Sequence, residues 1–327
     1  MRQILKVREL CVAYGGRHGG VWWALSGVNF SVGAGEILAV LGESGSGKST
    51  LAASLLRLLP PDAGITSGEI LFEGANIVQM GSAQLRRTRG NAISIIFQEP
   101  SLALHPTIRI ADQVGEVLRA HGAAKKRERV SRAREILGRV FSADVERISS
   151  SYPHELSGGQ QQRVLIAQAI ACEPALVVAD EPTASLDTTT QREILTLFKR
   201  LRDELGIAFI FITHNPALLP GFADRVLVLY AGKVAEVGAT HQVLFSAQHP
   251  YTQALLKCMP QFDNGEAMQR KSLLPVIAGA PPSLALLSQG CIFEPRCEDR
   301  MEMCRVREPA AAILGDRHEV ACLKFPA

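Results

Sequence analysis

The chain has 327 residues, 47% of them hydrophobic, and a formal net charge of +3. That length can bury a full core and suggests one large domain plus an appendage, while so small a charge gives no case for a nucleic-acid-binding surface. Apolar runs such as residues 207–212 fall far short of the ~20 residues that span a bilayer, and Lys6, Arg8 and Glu9 interrupt the N-terminal stretch where a signal peptide would be apolar, so a soluble, cytoplasmic protein is expected.

Residues 4–14 and 28–32 alternate loosely around a Gly-rich loop at 15–20, which predicts an antiparallel pair of strands. Tyr14 ends the first strand, where an aromatic ring can stack on a base or simply pack. The apolar run 37–41 then leads into Gly42-Glu43-Ser44-Gly45-Ser46-Gly47-Lys48-Ser49-Thr50, followed by a helical pattern over 51–59. Strand, glycine-rich loop and helix in that order make a phosphate loop: the glycines let backbone N–H groups close around a polyphosphate. Lys48 reaches the outer phosphates, Ser49 offers its hydroxyl to Mg²⁺, and the helix N-terminus adds partial positive charge. The competing reading is a Gly/Ser-rich turn with a stray lysine, which the flanking strand and helix disfavour.

Residues 68–72 and 77 suggest a hairpin turning at Glu73-Gly74. Gln98 leaves a β-rich run, 93–97, at the carboxyl edge where open α/β sheets bind ligands, although it could be a plain polar terminus. Residues 108–148 are helical and charged, as an inserted helical subdomain would be, with 125–129 a solvated helix start or face. Ser157 is placed to cap a helix, and Gly158-Gly159 leaves that helix end open to an anion. A buried strand, 174–180, runs into Asp180 and Glu181, which can hold Mg²⁺ and orient an attacking water. Ser185-Leu186-Asp187 follow in a turn, 188–205 form an amphipathic helix, and a second buried strand, 208–213, delivers His214 to the same edge.

Taken in order, these parts resemble the nucleotide-binding subunit of ATP-binding-cassette transporters over at least residues 5–260. Tyr14 is similar to the adenine-stacking residue, Gly42–Ser49 to the Walker A loop and Gln98 to the Q-loop glutamine. Leu156-Ser157-Gly158-Gly159-Gln160 match the signature letter for letter, Asp180 and Glu181 resemble the Walker B pair, Ser185–Asp187 the D-loop and His214 the switch histidine. Residues 249–256 and 290–297 further resemble the oligopeptide, dipeptide and nickel importer ATPases. Glu99-Pro100, His105-Pro106 and Asn215 depart from the usual pattern of that subfamily without touching the catalytic set.

The resemblance implies an α/β P-loop NTPase cassette over 1–245: a mixed or parallel core sheet, an antiparallel β subdomain and an inserted helical subdomain at about 100–165. A small C-terminal extension over 246–327 follows. It implies ATP and Mg²⁺ as ligands, with Ser49, Gln98 and Asp180 serving the metal, Glu181 acting on water and His214 touching the γ-phosphate. It also implies a second cassette, identical or homologous, whose signature completes the site, two transmembrane permeases and an extracytoplasmic binding protein. The location implied is the cytoplasmic face of the inner membrane. Peptides are the expected cargo and nickel the alternative; a cassette protein remodelling a macromolecule and a non-hydrolysing nucleotide-binding scaffold are the rivals from other classes.

Four of the seven cysteines, Cys291, Cys297, Cys304 and Cys322, crowd into the tail with spacings that match neither zinc-finger nor ferredoxin patterns. Disulfides are disfavoured in a reducing compartment. By resemblance these four suggest a [4Fe–4S] cluster, with zinc or free thiols as alternatives. Cys11, Cys172 and Cys258 lie in apolar contexts and are expected in the core or an interface.

Overall fold

A computed structural model describes residues 2–15, 20–258, 276–282, 289–315 and 317–326. In chain order these form β1 (Gln3–Gly15), β2 (Val21–Gly33), β3 (Ile37–Leu41), α1 (Lys48–Leu55), β4 (Ala63–Phe72), β5 (Ala75–Asn76), α2 (Ser82–Thr88), β6 (Ile93–Ile96) and α3 (Pro100–Ala103). Next come α4 (Ile110–Ala120), α5 (Arg129–Val140), α6 (Val145–Ser150), α7 (Gly158–Ile170), β7 (Leu176–Asp180), α8 (Thr188–Leu205) and β8 (Ala208–Ile212). The chain finishes with β9 (Arg225–Tyr230), β10 (Lys233–Ala239), α9 (Thr240–Phe245), α10 (Pro250–Lys257), β11 (Ala312–Ile313) and β12 (Glu319–Val320).

These elements make two compact units interleaved in sequence: Met1–Leu5, Val32–Glu36 and Phe72–Ile212 in the first, Lys6–Ser31, Ile37–Leu71 and Thr213–Ala327 in the second. In the first unit β6, β7 and β8 pair in parallel, with Ile95 opposite Val178 and Val178 opposite Ile210. Both β7 and β8 are buried at every position, the continuous apolar run that a parallel strand covered on both faces requires. The amphipathic helix α8 lays Phe198 edge-on against Phe209 and Phe211 of β8, with ring centroids 5.1 and 5.7 Å apart. Its N-terminus is set by Asp187, which accepts hydrogen bonds from the Thr189 and Thr190 amides. The helical pattern over 108–148 forms α4, α5 and α6, and residues 125–129 lead into α5.

In the second unit β3 pairs in parallel with β9, while β9 with β10, β10 with β12 and β12 with β11 are antiparallel. β1 lies between β2 and β4 in a separate sheet, as the alternating patterns lead one to expect, although residues 16–19 of the intervening loop lie outside the described residues. The hairpin turn at Glu73-Gly74 is found, with both residues at positive φ (46° and 85°), the conformation a tight two-residue connection uses. The C-terminal segment is fastened to β10 by Glu236, which is fully buried yet accepts hydrogen bonds from the Gln248 and His249 amides at 2.9 and 3.0 Å and from His318 Nε2 at 2.7 Å. Tyr230, Tyr251 and Phe293 pack ring against ring beside it. Burial pushes His249 down to about 4, so at neutral pH its Nδ1 is free to accept the Tyr251 amide and cap α10.

One expectation is corrected. The helix expected over 51–59 begins at Lys48, directly after Gly47 in the left-handed region, and stops at Leu55 because Arg57 also takes a left-handed conformation (φ 51°) ahead of the Pro60-Pro61 pair. Cys11, Cys172 and Cys258 are each partly buried. Cys11 sits at a partly open position of β1, where its thiol accepts the Gly27 amide.

Candidate functional site

In the second unit the buried strand β3 ejects the chain into the loop Gly42–Gly47, and α1 carries it away. A Cβ at Gly47, where φ is 104°, would lie 2.7 Å from the Ala24 carbonyl; one at Gly42 would lie 2.2 Å from the Leu229 carbonyl. Only glycine fits either place, so the spacing of the motif is dictated by the packing of β2 and β9 against the loop. Lys48 is buried and folds its Nζ back onto the Gly42 and Glu43 carbonyls, 2.9 Å from each, inside the space the loop encloses. Ser46 Oγ is buried and has no hydrogen-bond partner among the described residues, a polar atom of the loop left unsatisfied against Gly42. A polyphosphate fits this combination of glycine-opened backbone, inward lysine and orphaned hydroxyl.

Tyr14 comes to the start of α1, its hydroxyl 3.3 Å from Thr50 Oγ1, which places an aromatic ring beside the loop. His214 is exposed, and the residue before it, Thr213, donates its amide to Val40 O at 3.1 Å. The histidine therefore emerges next to the strand that feeds the loop. Asn215 accepts the Ala217 amide and holds the turn that follows.

In the first unit Asp180 ends β7 as a buried residue, and Glu181 follows it with φ 46°. A non-glycine residue in that region is strained, and strain of this kind gathers at sites where a side chain must be aimed. Here the Glu181 amide is tied to Ile212 O at 3.0 Å, fixing the bend. Gln98 Nε2 lies 3.4 Å from Glu181 Oε2, so the amide and carboxylate face one another across the ends of β6 and β7.

The segment Leu156–Gln160 opens α7, and Ser157 caps it as the sequence suggests. Its hydroxyl accepts the Gln160 amide while the Gln160 side chain accepts the Ser157 amide, a reciprocal capping box. Leu156 is buried, Ser157 and Gly158 are exposed, and the helix end is open to an anion. Gly159 backs directly onto α8: a Cβ there would lie 2.6 Å from the Thr190 methyl, whose hydroxyl is itself bonded to Asp187. A Cβ at Gly158 would make only ordinary contact with Leu186, at 3.9 Å. The turn Ser185–Asp187 and the glycine pair thus form one packed element. The same Thr189 and Thr190 bonds hold the Asp187 carboxyl below the usual range.

In the tail Cys291, Cys297, Cys304 and Cys322 line one small cavity with Met301 and Asp299. The Cys291 amide bonds the Cys304 carbonyl at 2.7 Å, and burial pushes the Cys291, Cys297 and Cys322 thiols up, Cys297 to about 11. Among the described residues no group of three or more His, Cys, Asp or Glu side chains is arranged to hold a metal ion, so zinc or iron at these cysteines gains no support from the geometry.

Sequence reading gave no role to Tyr251, Tyr230 or Arg296, yet all three meet the loop. Tyr251 accepts the Glu43 amide, and Arg296 pairs with the Glu43 carboxylate while lying against Tyr230. The available signal was Glu43 itself, an acid in an anion-binding loop that calls for a cation; its partner 253 residues downstream lies beyond any spacing rule.

Comparison with known proteins supplies an independent test. Residues 25–184 match the ABC transporter family, and residues 235–304 match the oligopeptide/dipeptide transporter C-terminal region. The chain is 41% identical over 320 residues to a probable peptide ABC transporter ATP-binding protein of Sinorhizobium fredii, covering 98% of this chain and 94% of that one. It is 40% identical to a dipeptide transport ATP-binding protein of Bacillus subtilis, covering 98% and 95%. Among solved structures, a dimeric ATP-binding cassette in a post-hydrolysis state bound to ADP and phosphate superposes with a TM-score of 0.64 at 31% identity, over 72% of this chain and 98% of that one.

Proposed function

This chain belongs to the ATP-binding-cassette transporter family, and on that premise we propose that it is the ATP-hydrolysing subunit of an importer that powers peptide uptake. The observation that carries the reading is the joining, in one chain, of a phosphate loop with an inward lysine to a C-terminal region of the oligopeptide/dipeptide transporter type. In domain terms the ATPase spans 1–245, with its helical subdomain at about 100–165, and the extension spans 246–327.

ATP enters the chemistry as substrate. Lys48 and the amides of Gly42–Thr50 hold its phosphates and Tyr14 stacks on its base; Ser49, Gln98 and Asp180 are the residues that would hold Mg²⁺, which when bound would offset negative charge on the phosphates. Glu181 takes the proton of the attacking water, and His214 contacts the γ-phosphate. Leu156–Gln160 act on ATP held by a second cassette, identical or homologous, with Ser185–Asp187 shaping the contact. Binding in this way makes hydrolysis a property of the pair. Support for the signature role comes from an exposed, capped helix end with glycines that keep side chains out of an anion's path.

No helix among the described residues is long and apolar enough to cross a membrane. The chain acts at the cytoplasmic face through two permease subunits, supplied with cargo by an extracytoplasmic binding protein. Phe97 and Leu102, flanking Gln98 and 51% and 80% exposed, are suited to receive a permease segment. Cys291, Cys297, Cys304 and Cys322 are the residues that would hold a [4Fe–4S] cluster if one were bound; they line one small cavity, but among the described residues their side chains form no metal-holding group.

The test is steady-state hydrolysis by the complete complex in vesicles. Mg-ATP turnover is expected to rise several-fold, roughly 3–10-fold, when binding protein loaded with a di- or oligopeptide is added, as closure of the cassettes becomes coupled to cargo. Stimulation by nickel but not by peptide would overturn the cargo; no nucleotide turnover in any condition would overturn the ATPase.

A further inference from the structure

Glu43 puts a carboxylate on the rim of a loop built to bind an anion. Left alone, it would repel a polyphosphate a few ångströms away, and it would do so in a partly desolvated place where charge is poorly screened. The structure meets this with Arg296. Its Nη1 donates to Glu43 Oε2 at 2.8 Å and its Nη2 to Oε1 at 3.1 Å, the two-pronged geometry in which guanidinium and carboxylate are held most firmly. Further donors of the same guanidinium go to Ala278 O, Ile277 O and the Tyr230 hydroxyl, and the side chain is only 5% exposed. Three more bonds fix the backbone around Glu43: Tyr251 accepts its amide, Lys48 donates to its carbonyl, and that carbonyl also accepts the Ser46 amide.

We propose that Arg296 is a positioning residue for nucleotide: it neutralises and anchors Glu43 so that the phosphate loop keeps its shape and presents net positive potential to the incoming phosphates. The guanidinium comes from the short turn Glu294–Arg296, between Cys291 and Cys297, so the tail reaches into the nucleotide site. This rests on the reading of Gly42–Thr50 as an ATP site and adds a residue outside every motif of that site. The alternative is that Arg296 merely packs the tail.

The two are separated by a double-mutant cycle on the full chain, read by titrating a trinitrophenyl ATP analogue. Arg296→Gln is expected to weaken binding about ten-fold, which corresponds to about 1.4 kcal/mol, and the loss is expected to shrink as salt is raised. In a Glu43→Gln background, where no carboxylate needs compensation, the same Arg296 change is expected to alter binding less than about two-fold. An equal loss in both backgrounds, or a loss indifferent to salt, assigns Arg296 to packing and overturns the proposal. Should Arg296→Gln fail to fold, Arg296→Lys serves in its place: it keeps the charge without the fork, and it must retain more than half the salt-dependent component for the proposal to stand. Failure of the parent chain to bind the analogue at all would instead remove the ATP site on which the proposal depends.

Discussion

Glu181→Gln is expected to bind Mg-ATP as tightly as the parent and to hydrolyse it about a thousand-fold more slowly, within the 10²–10⁴ range that loss of a positioned base produces. The amide has nearly the shape of the carboxylate, so the bend at φ 46° and the Gln98 contact survive while the proton acceptor is lost. If, as proposed, two cassettes close on ATP and reopen on its hydrolysis, the variant is also expected to accumulate as a closed cassette pair. Single-turnover hydrolysis and light scattering in the presence of ATP check both parts. Hydrolysis at the parental rate would remove Glu181 from its role.

Glu236→Ala is expected to be the most destabilising single change to the second unit. Its carboxylate is fully buried and collects the Gln248 amide, the His249 amide and His318 Nε2, so truncation orphans three donors at once. Removing one partner of a buried, hydrogen-bonded charge costs about 3–5 kcal/mol, equivalent to roughly 4–7 °C in Tm for a chain of this size. Glu236→Gln keeps two acceptor lone pairs and is expected to lose about half as much. Thermal unfolding of the three proteins gives the ranking; a loss below about 1 kcal/mol for the alanine variant would show that the tail is held by its aromatic packing at Tyr230, Tyr251 and Phe293 instead.

What the sequence discloses and what it hides divide along physical lines. Short-range rules were sufficient for the cap at Ser157, the buried run into Asp180 and the extent of α8, each settled by neighbours within a few residues; the glycines of the phosphate loop are legible by their spacing although the distant Ala24 and Leu229 carbonyls are what require them. Gln98 and Glu181 are 83 residues apart, yet both could be placed, since strands ending at a carboxyl edge constrain where their last residues go. The end of α1 was misjudged because the apolar pattern continues past Leu55 while the backbone at Arg57 turns left-handed, a choice no periodicity records. Glu236 with His318, and Glu43 with Arg296, escaped because a polar residue in a strand or loop does not announce its distant partner. Nor does the cysteine spacing state what the four thiols surround.

The central claim is that each ATP is held by the phosphate loop of one cassette and completed by the signature of another. Ser157→Arg tests it directly: it removes the α7 cap, at about 1 kcal/mol, but leaves the chain's own phosphate loop untouched and places its bulk where a phosphate from a second cassette would arrive. Binding of the trinitrophenyl ATP analogue to the isolated chain is expected to match the parent within about two-fold, while Mg-ATP hydrolysis by the assembled cassette pair falls at least about a hundred-fold. Lost binding in the isolated chain, or unchanged hydrolysis in the assembled pair, would contradict it.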